Sequence, residues 1–396
     1  MRTKFKLYFV VFCTCHFILS LTDFCLAQPL KPENAKLKDS GGLLKKNEAE
    51  NPEAEGVIRV ETDLIINEVL VLDKNGNPVK DLKISDFVIK EDGRPQEIST
   101  FLFGDSEKLP RSIVLIIDFS GSQLPYIKTS IEAAKVLVDK LNPQDRLAIV
   151  TDNVELLQDF TTDKNLLKDK LESLKTSALS GKLGRSRQYR ALMAVLTEMF
   201  VENNSRPIII FQTDGDELLE LKDERSRELN AKEEETNFAF EDVLTTTEKM
   251  RVIIFPIIPG IRFFGIPENE KFERAKTDTI NNEIAFAMLR NKTPNPKKIK
   301  LSDNYLKSRA NLNNRQQSAL NQIAQITGGL TYYLEQPEQA DNVYSEILEE
   351  MKRRYLIGYY PTNQARNGKR RTVSIELPAH PEYTIWGRKT YFLEEK

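Results

Sequence analysis

The chain has 396 residues, with 57 Lys+Arg against 59 Asp+Glu, three cysteines and two histidines. That near-neutral balance gives no reason to expect nucleic acid or an anionic membrane as a partner. All three cysteines (Cys13, Cys15, Cys25) and His16 fall within the first 27 residues. If that segment is removed, disulfides, thiolate metal sites and a cysteine nucleophile are excluded, and a zinc site of the usual kind nearly so.

The segment reads as a secretory leader. Arg2, Lys4 and Lys6 precede an apolar run over 7–21, and Cys25-Leu26-Ala27 puts small residues at −3 and −1 before Gln28. The apolar run is short for a stable membrane span, so cleavage near Ala27 is expected rather than a retained anchor. The expected product is extracytoplasmic, secreted or periplasmic, with no membrane span. It carries 54 Lys+Arg against 58 Asp+Glu, well mixed along the chain, and His380 as its single histidine.

Residues 28–55 contain no aromatic and no β-branched residue. Such a stretch buries too little apolar surface to offset its ordering entropy, which predicts a flexible tether. A β module is expected over 56–104. "GVIRVETDLIINEVLVLD" is strand-like, "KNGNP" is turn chemistry, and "DFVIKEDGRPQEISTFLF" places two strands around Asp92-Gly93, a hairpin signal. About 50 residues of strand make a thin core, so strands from elsewhere are expected to complete it.

From residue 110 to 354 the pattern becomes one of apolar strands alternating with amphipathic helices. "SIVLIID" leads to a helix over "YIKTSIEAAKVLVDKL" that ends before Asn142-Pro143. "RLAIVTD" and "PIIIFQTD" are short apolar strands, with helices expected near 164–174 and 188–202 between them. A charge-rich helical stretch over 217–250 precedes the strand "RVIIFPIIPG". "QQSALNQIAQITGG" reads as a helix closed by Gly328-Gly329, followed by the strand "LTYYL" and the helix "ADNVYSEILEEMKRR". This alternation predicts an α/β fold with a doubly wound, mostly parallel sheet. Residues 261–312 show no strong period and read as an insertion. The strands "YLIGYYP", "RRTVSIELPAH" and "YTIWGRKTYFLEE" over 355–396 are expected to complete the β module, leaving the α/β domain between its two halves.

In such a sheet, ligands bind at the carboxyl ends of strands. One of those ends carries Asp118 followed by Ser120 and Ser122, and a second carries Asp214 preceded by Thr213. Two carboxylates with hydroxyl neighbours suit a hard, oxygen-seeking cation such as magnesium. The plain alternative is that Asp118 caps the next helix and the serines are turn residues; a matching aspartate on a second strand end weighs against it.

Asp-x-Ser-x-Ser after one strand and Thr-Asp-Gly after a later one resemble a von Willebrand factor type A domain, and "IRVETDLIINEVLVLDKNGNPVKDLKISDFVIKEDGRPQEI", "LNQIAQITGGLTYYL" and "YLIGYYPTN" resemble its bacterial exported relatives. The resemblance implies a metal-ion-dependent adhesion site formed by Asp118, Ser120 and Ser122 of the first loop and Asp214 of the third. The second loop, "GRSRQYRAL", departs from the family's usual Gly-Gly-Thr and sets Ser186 at the threonine position. Serine keeps the hydroxyl, while Arg185, Arg187 and Arg190 add positive charge that either faces solvent or helps hold an anionic partner.

The implied function is divalent-cation-dependent binding of a protein or peptide whose Asp or Glu carboxylate completes the coordination of magnesium, with manganese or calcium as alternatives. A structural envelope component with a vestigial site is the second reading. An enzyme is the third and least favoured. An aspartyl-phosphate loop needs an aspartate where Ser120 stands, and "DFSGS" is not Gly-x-Ser-x-Gly.

Overall fold

Strand β6 (Arg111–Ile117) is buried along its whole length and lies at the centre of a seven-stranded sheet. Its alternation feeds two cores. Ile113, Leu115 and Ile117 join the apolar cluster on one face, while Val114 and Ile116 join the cluster on the other, as the period-two geometry of a strand requires. The computed structural model describes residues 35–36, 64–104, 110–200, 205–217, 221, 238–296 and 299–393. The expected leader lies outside them, as does most of the expected tether.

The sheet order is β1 (Ala35–Lys36), β8 (Glu155–Thr161), β7 (Arg146–Thr151), β6, β9 (Arg206–Gln212), β10 (Ile253–Pro259) and β11 (Tyr332–Leu334). The pairings from β7 through β11 are parallel, and β8 is antiparallel to β7 and β1. Helices α1 (Ile127–Lys140), α2 (Lys164–Leu179) and α7 (Ala340–Lys352) cover one face; α3 (Gln188–Glu198), α4 (Phe240–Lys249) and α6 (Asp303–Thr327) cover the other. This is the doubly wound α/β sheet expected from the alternation of elements.

The chain leaves β6 toward β7 on one side and reaches β9 on the other. The carboxyl end of β6 is therefore the topological switch point, where an open α/β sheet forms its crevice.

Two elements differ from the sequence reading. The tether region contributes the two-residue strand β1, which pairs with the edge of β8 through Ala35 and Lys36. Backbone pairing satisfies an exposed edge regardless of side-chain apolarity, so composition does not reveal it. The region 261–312 contains α5 (Glu268–Leu289) and the first ten residues of α6. The side chains α5 buries are Lys271, Ala275, Asp278 and Thr279, a mostly polar face that leaves no apolar period to read. Ser302 caps α6 by accepting from the Tyr305 N–H, and Gly328, at φ 80°, closes it.

The remaining strands form two four-stranded antiparallel sheets around a separate core. One has the order β14 (Thr384–Trp386), β2 (Ile65–Leu72), β12 (Tyr355–Tyr359), β5 (Ile98–Phe103), and the other β15 (Thr390–Phe392), β13 (Arg370–Glu376), β3 (Val88–Glu91), β4 (Arg94–Gln96). N-terminal and C-terminal strands alternate in the first sheet and meet at the β13–β3 pairing in the second, with Val69, Ile89, Ile357 and Val373 in the shared core. The β3–β4 hairpin turns at Asp92 (φ 47°) and Gly93 (φ 79°). Both are left-handed, as a two-residue primed turn demands. Among the described residues, no helix is long and apolar enough to cross a membrane.

Candidate functional site

Asp118 follows β6 directly, and its backbone N–H donates to the Gln212 carbonyl of β9 at 2.9 Å. The aspartate is therefore locked to the sheet rather than to a flexible loop. It is 2% exposed. One carboxylate oxygen accepts from the Ser120 N–H at 2.9 Å; the other accepts from Gln188 Nε2 at 2.8 Å and Thr213 Oγ1 at 3.2 Å. All of these partners are neutral. Burial first, then the charges of Asp214 and Asp152, push its carboxyl well above the usual range.

Asp214, after β9, is half-buried and faces the first loop. Its Oδ2 accepts from Ser122 Oγ at 2.6 Å and from Gln123 Nε2 at 2.9 Å, and its Oδ1 accepts from the Asp216 N–H. The hydroxyls of Ser120 and Ser122 are 3.2 Å apart. Four of the five residues expected at the site are thus brought together by direct contacts or through one shared neighbour.

Ser186 is placed differently. It is buried, at φ 55°, and its backbone N–H donates to Asp152 Oδ2 at 2.9 Å. Among the described residues no hydrogen bond joins it to Asp118 or Asp214; it approaches the site through Asp152. Of the three arginines in its loop, Arg185 is exposed and Arg187 and Arg190 are half-buried.

Asp152 escaped the sequence reading. It ends β7, is fully buried, and accepts from the backbone N–H groups of Phe119 and Ser186, so it pins the first and second loops together. Burial pushes its carboxyl up to about 6. A Cβ on Gly184 would come within 2.2 Å of both its oxygens, which is why this close approach needs glycine. The signal was available: three adjacent parallel strands all end in aspartate. Gln123 and Gln188, which hold the carboxylates through their amides, left no sequence signal.

Among the described residues, no three His, Cys, Asp or Glu side chains group as metal ligands. An ion here would lean on hydroxyl oxygens. The set of Asp118, Asp214, Ser120, Ser122 and Thr213 is all oxygen and rich in neutral donors, which fits a hard divalent cation and not a soft one.

The insertion helix overhangs this set. A Cβ on Gly121, between the two serines, would lie 3.1 Å from the Phe286 ring of α5.

Among curated proteins none matches the chain. Solved structures similar to it include the conserved hypothetical protein BatB from Bacteroides thetaiotaomicron, at 14% identity over 61% of this chain and 99% of that one, TM-score 0.34. A von Willebrand factor type A protein from Catenulispora acidiphila matches at 10% identity over 85% of this chain and 76% of that one, TM-score 0.35. The proximal thread matrix protein 1 of the mussel byssus, with a zinc-occupied MIDAS motif, matches at 13% identity over 61% and 48%, TM-score 0.34. Residues 113–217 match the family of the von Willebrand factor type A domain, and this chain therefore carries such a domain, with Asp118 at the end of its central strand.

Proposed function

We propose that the chain is an exported, divalent-cation-dependent module that binds a protein or peptide, whose Asp or Glu carboxylate completes the coordination of the ion. The observation that carries this reading is the environment of Asp118. It is a buried carboxylate whose hydrogen-bond partners are all neutral, with Asp152 and Asp214 nearby. A cation at this point would offset the desolvation of Asp118 and its repulsion from the neighbouring acids.

Asp118, Asp214, Ser120 and Ser122 would hold the ion, with Thr213 behind Asp118. Magnesium fits this oxygen set best, with manganese or calcium as alternatives. Hydroxyl donors bring no formal charge, so the bound ion would stay attractive to an incoming anion. The two glutamines and the locked strand end keep the carboxylates in place.

Export rests on the leader-like first 27 residues. Binding is favoured over phosphoryl transfer because Ser120 occupies the position where an aspartyl-phosphate loop needs its second carboxylate.

Calorimetric titration of magnesium into residues 28–396 tests this, beside Asp118→Ala. Saturable binding in the wild type, weakened at least about 100-fold in the variant, is the expected result. Absence of binding in the wild type, alone and with excess acetate, would instead favour a metal-free envelope scaffold.

A further inference from the structure

Beside the ion site lies a cleft of about 350 Å³, counting the part open to solvent, walled on the far side by α5 and α6. Three of its side chains have unspent hydrogen-bonding capacity. Gln123 is 2% exposed and donates its amide to Asp214 at 2.9 Å, but its Oε1 is buried with no partner. Asn282 donates to the Asp278 carbonyl at 3.1 Å, and its Oδ1 is likewise buried and unpartnered.

Neither amide can be turned over to cure this. Reversal would set Gln123 Oε1 against the Asp214 carboxylate, and Asn282 Oδ1 against a carbonyl. The third side chain is Arg309. Its guanidinium has five N–H donors, yet its hydrogen bond to a described residue is a single 3.4 Å contact with Asp278.

Two orphaned acceptors and a guanidinium with free donors, in one cleft, describe a neutral ligand that both donates and accepts. A second cation on the ligand would meet Arg309, and a second carboxylate would meet Asp278 and Asp214. A peptide unit has the required chemistry: its N–H groups satisfy the two amide oxygens and its carbonyl accepts from the guanidinium. We propose that this cleft is a subsite for the main chain of the partner segment that carries the acid, so that Gln123, Asn282 and Arg309 read peptide backbone while the ion takes the carboxylate. This rests on the functional reading above and adds the reason for the helical insertion. A free carboxylate would fill half of the site, and a peptide-borne one all of it.

The test compares two probes in saturating magnesium, followed by NMR or calorimetry. One is acetate; the other is N-acetyl-aspartate N-methylamide, which adds a peptide unit on each side of the acid. The blocked aspartate is expected to bind about tenfold more tightly than acetate, the effect of one to two net hydrogen bonds. Asn282→Leu and, independently, Arg309→Gln should each narrow that ratio to about threefold or less; the second variant carries the test if the first does not fold.

Equal binding of the two probes, or a ratio that both variants leave unchanged, would overturn the subsite while the functional reading stands. Failure of both probes to bind in magnesium would remove the functional reading, and the subsite with it.

Discussion

The molecule buries carboxylates in two settings that look alike by exposure and differ in company. In the β sandwich, Glu91 is 2% exposed and faces Arg371, equally buried, at 2.9 Å; the hydroxyls of Tyr359 and Tyr391 complete its shell. Under the α/β sheet, Asp145 is held in the same way by the guanidinium of Arg111. At the carboxyl end of the sheet, Asp118 is as deeply buried, but amides and hydroxyls surround it, and other carboxylates stand nearby. The first two carboxylates are internally neutralised and serve the fold. The third has hydrogen bonds but no compensating charge, and the cation proposed above would supply one.

The comparison can be broken at either end. Arg371→Met would leave Glu91 buried and unpaired, and should cost about 3–5 kcal/mol in urea unfolding. A loss below about 1 kcal/mol would mean that the sandwich tolerates an unpaired charge and that Asp118 is not special. Asp118→Asn keeps shape and removes charge. The metal-free variant should be about 1–3 kcal/mol more stable than wild type at neutral pH, because an uncompensated buried charge has gone, while its magnesium binding disappears. A destabilised variant would show that the carboxylate is already compensated within the chain.

The smallest effect is in the pH profile. Asp152 has its carboxyl raised to about 6 in the folded chain, against about 3.9 when unfolded. Between those values the native chain holds a proton that the unfolded chain has released. Stability of the metal-free protein should therefore fall as pH rises through that window and then level off. Asp118 is shifted the same way and adds to the slope. Asp152→Asn should flatten part of this decline in urea titrations at stepped pH, and a profile identical to wild type would remove Asp152 from the account.

Much of the site was legible because its backbone frame is written in local pattern. A run of apolar residues ending in Asp118, and another ending in Asp214, identify two parallel strands and the edge from which they project. Asp152 obeys the same rule and could have been found by applying it to all three strands. Ser186 could not have been placed so readily. Its φ is 55° and its N–H donates to Asp152, the carboxylate on which Gly184 also packs, contacts more than 30 residues away in sequence.

The alternation of strands and helices, and with it the doubly wound sheet, is readable from the amino-acid order alone, because periodicities of 2 and 3.6 residues are local properties of the chain. The same pattern marks which strand ends carry aspartate and hydroxyl side chains. How α5 lies over the first loop emerges only from the assembled fold, because the side chains that α5 buries are mostly polar or small and carry no apolar period. The same holds for the company each buried carboxylate keeps. Glu91 and Arg371 are 280 residues apart in sequence, and no local pattern distinguishes a charge that has met its partner from one that has not.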